Sequence, residues 1–379
     1  DSIDRIEITK GSGSVVYGDG ATAGSIQIYT RDTTETSITG SGGNYGIKTG
    51  SFTTGLSQGK FLLSASGALY EKGGFSDPGP DGHKDSGNQE NYQIKLRFFP
   101  TESNEVFIEK DSTAIYNRYP NALDKGTFEV HPGSNSKTKI SSTSGPQNYT
   151  RENQDIDNLT LGGTIELRSN LEAALTYTHQ DKVVVNSTHK QYHNNAFDSS
   201  VKYLNGPFKI ITGVQTWEGK RRNTNGTASK DNIGLFVQGD YDIGSTVLSL
   251  GVRREWVDYT HQALADEDDF WSYDLGINKS FSDHLSIFSN FNHAFLAPDI
   301  DRFFGWNSDF TAIVFNGFID PTMSNTLNIG LNHTTPTNKA KLTIYGVKLK
   351  QEQFYNPVTW VNTNIDKSHK YGLELQNNH

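Results

Sequence analysis

The sequence predicts an all-β fold, a transmembrane antiparallel β-barrel, and three observations predict it. The first is composition: only 34% of the 379 residues are hydrophobic and the mean hydropathy is -0.60, too polar for a large dry core. Yet the 21 phenylalanines and 17 tyrosines argue against disorder, which is poor in aromatics. A wall with one face in lipid and the other toward a polar lumen accounts for both. The second is alternation. Leu159, Leu161, Ile165 and Leu167 interleave with Thr160, Gly162, Thr164, Glu166 and Arg168; Ile233, Leu235, Val237 and Tyr241 with Gly234, Gln238, Asp240 and Asp242; Tyr273, Leu275 and Ile277 with Ser272, Asp274, Gly276 and Asn278. Period two with one apolar face is a strand. The third is the spacing of breaks: short and long connections alternate, as in membrane barrels, which place tight turns at one end and long loops at the other.

Taken in order, residues 3–31 form two short alternating segments around a glycine-dense turn. Gly18-Asp19-Gly20-Ala21-Thr22-Ala23 meets the loose pattern of a dinucleotide-binding turn, but that turn needs a helix after it, and Ser25 to Thr30 alternates as a strand. Ile3, Arg5, Ile6, Glu7, Ile8, Gly11, Tyr17, Gly18, Ala21, Gly24, Ile26, Ile28, Thr30 and Arg31 instead give a segment that resembles the end of the plug domain of TonB-dependent receptors. Lys10 stands where arginine is usual and Ser12 where proline is common.

From about Thr36 the alternating segments run to roughly ten residues each. Tight turns are expected at Ser57–Gly59, Thr101–Asn104, Ser169–Asn170, Asn205–Gly206, Gly244–Ser245, Ser282–His284 and Pro336–Lys339, on the periplasmic side. Long extracellular loops are expected at about 71–91, 117–153, 187–195, 219–231, 262–271, 299–323 and 355–368. That gives about sixteen strands, the last at Tyr371–Leu375. Large plugged barrels have about 22, so the chain, which starts at Asp1, is expected to be a fragment. It would lack the front of the plug and roughly six strands, with residues 1–33 the end of the plug and 34–379 an incomplete barrel. Asn292-His-Ala-Phe-Leu-Ala-Pro298 resembles the F-R-A-P box of the same receptors, with Leu296 for arginine. Asp320–Asn325, Leu327–Leu331 and Tyr371–Leu375 resemble later strand segments.

No run of 18 apolar residues is present, so no transmembrane helix is expected. The absence of cysteine removes disulfides and thiolate metal sites, and a net charge of -9 disfavours nucleic acid. There is no G-x-S-x-G or H-E-x-x-H, so an enzyme is not expected. His189 and His193 have a spacing that would share a metal on a helix, but they fall in an expected loop without a third ligand. Asp266–Asp269 and the spaced Asp77, Asp81 and Asp85 are carboxylate-rich without a calcium-loop pattern. The candidates for ligand contact are loop cations and aromatics: Tyr116, Arg118, Tyr119, Arg221, Arg222, Arg302, Phe303 and Trp306. Anionic chelates need fixed positive charge and flat apolar surface. The same residue types also serve as lipopolysaccharide contacts or an aromatic girdle.

The resemblance implies an outer-membrane active transporter for a scarce metal chelate, with ferric siderophore as the leading class. Cobalamin, haem or a small organic cofactor are alternatives. Haem receptors usually place a histidine between the two boxes, and residues 299–319 hold none. The implied partners are a TonB-type energy-transducing protein, whose contact box is not in this sequence, and outer-membrane lipid and lipopolysaccharide. No cofactor is expected. A passive porin or a surface adhesin is the rival class, and the plug segment discriminates against it.

Overall fold

The computed structural model describes residues 3–379 except 11–12, 31–32, 80–81, 121–122, 135–139, 142–144, 147–148, 187 and 310. The expectations on Gly11, Ser12, Arg31 and Asp81 lie outside the described residues, as does the side chain of Lys10. Ile3–Lys10 and Gly24–Thr30 pair as an antiparallel hairpin, with Ile6 opposite Ile28 and Ile8 opposite Ile26. Between them a single helical turn, Ser14–Tyr17, ends at Gly18 with φ +70°, a backbone state open to glycine. The chain leaves Gly18–Ala23 as a strand, so no helix N-terminus faces that turn.

Sixteen strands then form one antiparallel sheet in strict chain order, each paired with its sequence neighbour. They are Ser37–Gly42, Lys48–Gln58, Phe61–Lys72, Gly87–Thr101, Asn104–Pro120, Tyr149–Arg168, Leu171–Val185, His189–Asn205, Phe208–Asn223, Gly226–Asp242, Thr246–His261, Leu264–Ser282, Leu285–Leu296, Thr322–Thr334, Lys339–Asn356 and Val361–Asn378. The expected strand number and all seven expected tight turns agree with this order.

Four of the seven expected long loops do not exist as loops. The described residues of 187–195, 219–231, 262–271 and 355–368 are largely strand, joined by short connections between Val185 and His189 and at 224–225, 262–263 and 357–360. Of the seven expected long loops, those at 73–86, 121–148 and 297–321 remain as long connections between the sheet strands among the described residues. The ladder therefore runs well past the point where apolar alternation stops.

Side-chain direction follows the pleat. Ile233, Leu235, Val237, Leu275 and Ile277 are exposed on the outer surface, and Leu159, Leu161, Ile165 and Leu167 with them. Tyr177, Trp256 and Trp271 edge this belt. One pair further along the strands the outward residues become polar: Asn195, Glu218, Asp231, Asp258 and Glu267 stand opposite one another on successive strands. Inward, the connection 297–321 folds back over the lumen. Its Phe303 and Phe304 pack with Val257, Tyr259, Phe270 and Phe295 of the wall in a buried apolar cluster. Tyr259 meets Phe303 edge-on at 5.1 Å, and Phe270 stacks on Phe295 at 4.4 Å; offset and edge contacts of this kind are the favoured aromatic geometries.

Candidate functional site

The turn at Ser14–Gly18 is seated inside the barrel wall, against strands Gly226–Asp242, Thr246–His261 and Leu264–Ser282. Val15 is fully buried there. Above this floor lies a cavity of about 430 Å³ whose lining includes Asp19, Trp217, Lys230, Asn232, Arg253 and Glu255. An apolar groove of about 540 Å³ between Val201, Val214, Leu235, Val237 and Trp271 lies on the outer face; its residues belong to the lipid belt, so the smaller polar cavity is the candidate site.

Arg253 and Glu255 lie two apart on one strand, which turns both inward. The Arg253 guanidinium donates to Glu255 Oε2, to Gln215 Oε1 at 2.6 Å and to the carbonyl of Val15 at 3.4 Å. Asn232 donates to the other Glu255 oxygen at 2.8 Å, and Gln215 to the carbonyl of Val16 at 3.0 Å. Each buried charge thus has a partner, as burial demands. The guanidinium fits because Gly18 and Gly234 have no Cβ: one built at Gly18 would lie 2.7 Å, and one at Gly234 1.9 Å, from Arg253 Nη2.

A second polar cluster lies further out. The Asp301 carboxylate, on the turn Ile300–Phe303, is 2.6 Å from Arg221 Nε and 3.6 Å from Lys190 Nζ, and accepts from the Tyr192 hydroxyl at 2.6 Å. Arg221 lies flat against Phe304, 3.8 Å from its ring centre. Burial, and then the neighbouring carboxylate, push the Tyr192 phenol above its ordinary range, so it stays a donor.

The eight residues singled out from sequence fall in different places. Arg221 and Phe303 join the inner clusters just described. Arg302 lies on the same turn, exposed, and donates to Asn362 Oδ1 at 3.1 Å. Trp306 packs edge-on against Trp360. Arg222 is on a strand, not a loop, one residue on from the inward Arg221, so its exposed side chain points outward. Arg118 is also on a strand, buried, and donates to the His83 carbonyl at 3.3 Å. Tyr116 shares the outward parity of Val106 and Ile108, and Tyr119 is exposed near the end of that strand.

His189 and His193 are likewise on a strand. Four residues of extended chain put them roughly 13 Å apart, and His193 pairs with Asp181. Among the described residues no group of three or more histidines and carboxylates is placed to hold a metal. Asp266–Asp269 alternate between the two faces of a strand, Asp269 pairing with Arg254. Asp85 is buried and accepts from the backbone N–H of Ser76 at 2.7 Å, while Asp77 lies 3.6 Å from His131.

Asp19, Lys190, Tyr192, Lys230, Arg253, Glu255 and Asp301 were not singled out by sequence. The inward parity of Arg253 and Glu255 was available from the strand pattern; the others are joined by pairings across many strands, which no local pattern carries.

A family model described as TonB dependent receptor-like, beta-barrel, matches residues 24–379. No curated protein matches the chain. Among solved structures, the FrpB iron transporter from Neisseria meningitidis (F3-3 variant) aligns with TM-score 0.79 at 13% identity over 99% of this chain and 66% of its own. The ferric yersiniabactin uptake receptor FyuA from Yersinia pestis aligns with TM-score 0.76 at 14% identity over 99% and 63%. The ferripyoverdine receptor of the outer membrane of Pseudomonas aeruginosa aligns with TM-score 0.74 at 13% identity over 99% and 58%. The chain spans under two thirds of the length of each, and at such identities the likeness is one of fold.

Proposed function

The chain belongs to the TonB-dependent receptors of the outer membrane, and from that premise we propose that it is the cargo-binding part of an active importer for a scarce metal chelate, of the ferric siderophore class. The observation that carries this reading is the lumen: a polar cavity floored by the Ser14–Gly18 turn, with Lys230 and Arg253 in its wall and Arg221 further out beside Phe304. Positive charge beside flat apolar surface is what an anionic chelate requires. FrpB, FyuA and the ferripyoverdine receptor, all named for iron or ferric cargo, support the same class.

Residues 1–33 are assigned to the end of the plug and 34–379 to part of the barrel. The hairpin leaves Ile6, Ile8, Ile26 and Ile28 exposed on one face, which suits a sheet that continues into the rest of a plug. A TonB-type protein would supply the work by pulling on that domain, since binding alone gives selectivity and no directed transport. Arg302, Trp306 and Arg221 are the candidates for cargo contact among those first singled out. Arg222 and Tyr116, which face outward, suit lipopolysaccharide, and Arg118 ties its strand to the 73–86 connection. No catalytic step is part of this reading.

The test is titration of the full-length receptor in detergent with a panel of ferric siderophores, cobalamin and haem, alongside an Arg302→Ala variant. Saturable binding of a ferric siderophore is expected, weakened roughly ten- to a hundredfold by loss of a charge-assisted contact. Binding of none of these chelates would overturn the class, and binding of cobalamin or haem alone would reassign it.

A further inference from the structure

The geometry points to a carboxylate-binding cradle in the outer lumen, built by Arg221, Lys190 and Tyr192, which the chain's own Asp301 occupies and which a carboxylate of the cargo would take over. The inference rests on the chelate-uptake reading and adds to it the chemistry of one subsite and the contact that keeps it closed.

Arg221 is 1% exposed, and its Nε is 2.6 Å from Asp301 Oδ1. Yet neither Nε nor Nη1 of Arg221 has a hydrogen-bond partner, and neither does Asp301 Oδ1. The carboxylate is in charge contact but off the N–H directions. Its place on the Ile300–Phe303 turn dictates this: the side chain is short and its backbone is held, with the Asp301 N–H donating to Asp299 Oδ1 at 2.9 Å. A guanidinium presents paired N–H groups to paired oxygens, and a carboxylate free to orient makes both bonds where a tethered one makes neither.

The remaining donors are already aimed. The Tyr192 hydroxyl meets Oδ2 at 2.6 Å, Lys190 Nζ lies 3.6 Å from Oδ1, and the Arg221 guanidinium carbon sits 3.8 Å over the Phe304 ring centre. Asp301, with a side chain 39% exposed against 21% for Lys190 and 1% for Arg221, is the most open of the three charged members. Removing it from the cradle cuts a polar tie between the 297–321 connection and the wall, so cargo binding is coupled to the segment that covers the lumen.

Free citrate, a small tricarboxylate, is the probe. It is titrated by calorimetry into the full-length receptor as wild type, Asp301→Asn, Asp301→Asn with Arg221→Gln, and Asp301→Asn with Tyr192→Phe. Asp301→Asn should bind citrate about tenfold or more tightly than wild type. Adding Arg221→Gln should abolish that gain and Tyr192→Phe should reduce it severalfold. Heat-modifiable mobility on gels reports folding of each variant, and the milder Tyr192→Phe keeps the test decisive if Arg221→Gln does not fold. Citrate binding no tighter in Asp301→Asn than in wild type, or undetected in both, overturns the cradle, as does a gain that survives both second substitutions. Failure of the uptake reading looks different: no ferric chelate binds wild type, while an Arg221-dependent citrate gain still stands.

Discussion

Asp19 and Lys230 are 211 positions apart in sequence and form an ion pair at the floor of the lumen. The second oxygen of Asp19 accepts the backbone N–H of Ala297 at 2.8 Å. One carboxylate thus joins the glycine-rich turn to a barrel strand and to the segment that opens the 297–321 connection.

Lys230 is 7% exposed and Asp19 18%, so Lys230→Met should leave an uncompensated carboxylate and cost about 3 kcal/mol. The double variant Asp19→Asn with Lys230→Met should cost clearly less than the two single losses combined. Urea titrations read by heat-modifiable mobility measure this; strictly additive losses would mean that the pair does not interact.

Gly18 combines φ +70° with the close approach of Arg253. Gly18→Ala should therefore destabilise the docked turn by about 1–3 kcal/mol of backbone strain, beyond any displacement of the guanidinium. Protease sensitivity at the turn should rise while the barrel keeps its mobility on gels; unchanged sensitivity would show that the turn tolerates a Cβ.

Leu275 points to lipid and Asn278 lines the lumen. Leu275→Arg should cost roughly 2–4 kcal/mol of folding into bilayers, and Asn278→Arg much less. Folding yields in phospholipid vesicles discriminate the two, and equal yields would overturn the assigned faces.

Ser134 and Ser169 flank opposite ends of the Tyr149–Arg168 strand. Residues 1–379 hold no cysteine, so in a full-length receptor with any cysteine elsewhere replaced, single cysteines at these positions report topology. An impermeant reagent on intact cells should label position 134 and spare 169; labelling of both would sink the assignment of sides.

Strand number, tight turns and facing were legible in the sequence because each leaves a local mark: Leu159 to Leu167 alternate, and Asn205-Gly206 or Gly244-Ser245 break the pattern. The outer halves of the strands were not. Beyond Tyr177, Trp256 and Trp271 the outward face turns polar, and in His189 to Asn195 or Gly219 to Asp231 nearly every residue is polar, so hydrophobic period vanishes there while backbone pairing continues. Polar strand then looks like loop. For the same reason Arg221 and Arg222 read as equivalent cations in sequence, whereas the pleat sends one into the lumen and its neighbour out of the wall.

That continuation has a mechanical consequence. The Tyr149–Arg168 strand has 20 residues, a contour of roughly 66 Å at the usual rise per residue. Tilted by about 40°, it still stands roughly twice as tall as the apolar band of about 25 Å. The upper wall is a stiff collar with a polar outer face, which holds the lumen-facing clusters around Arg221 and Tyr259 above the lipid surface instead of leaving them on free loops. Its amides touch water yet remain paired across the ladder, so they should exchange hydrogen for deuterium slowly, like a core, in a region whose sequence reads as a coil.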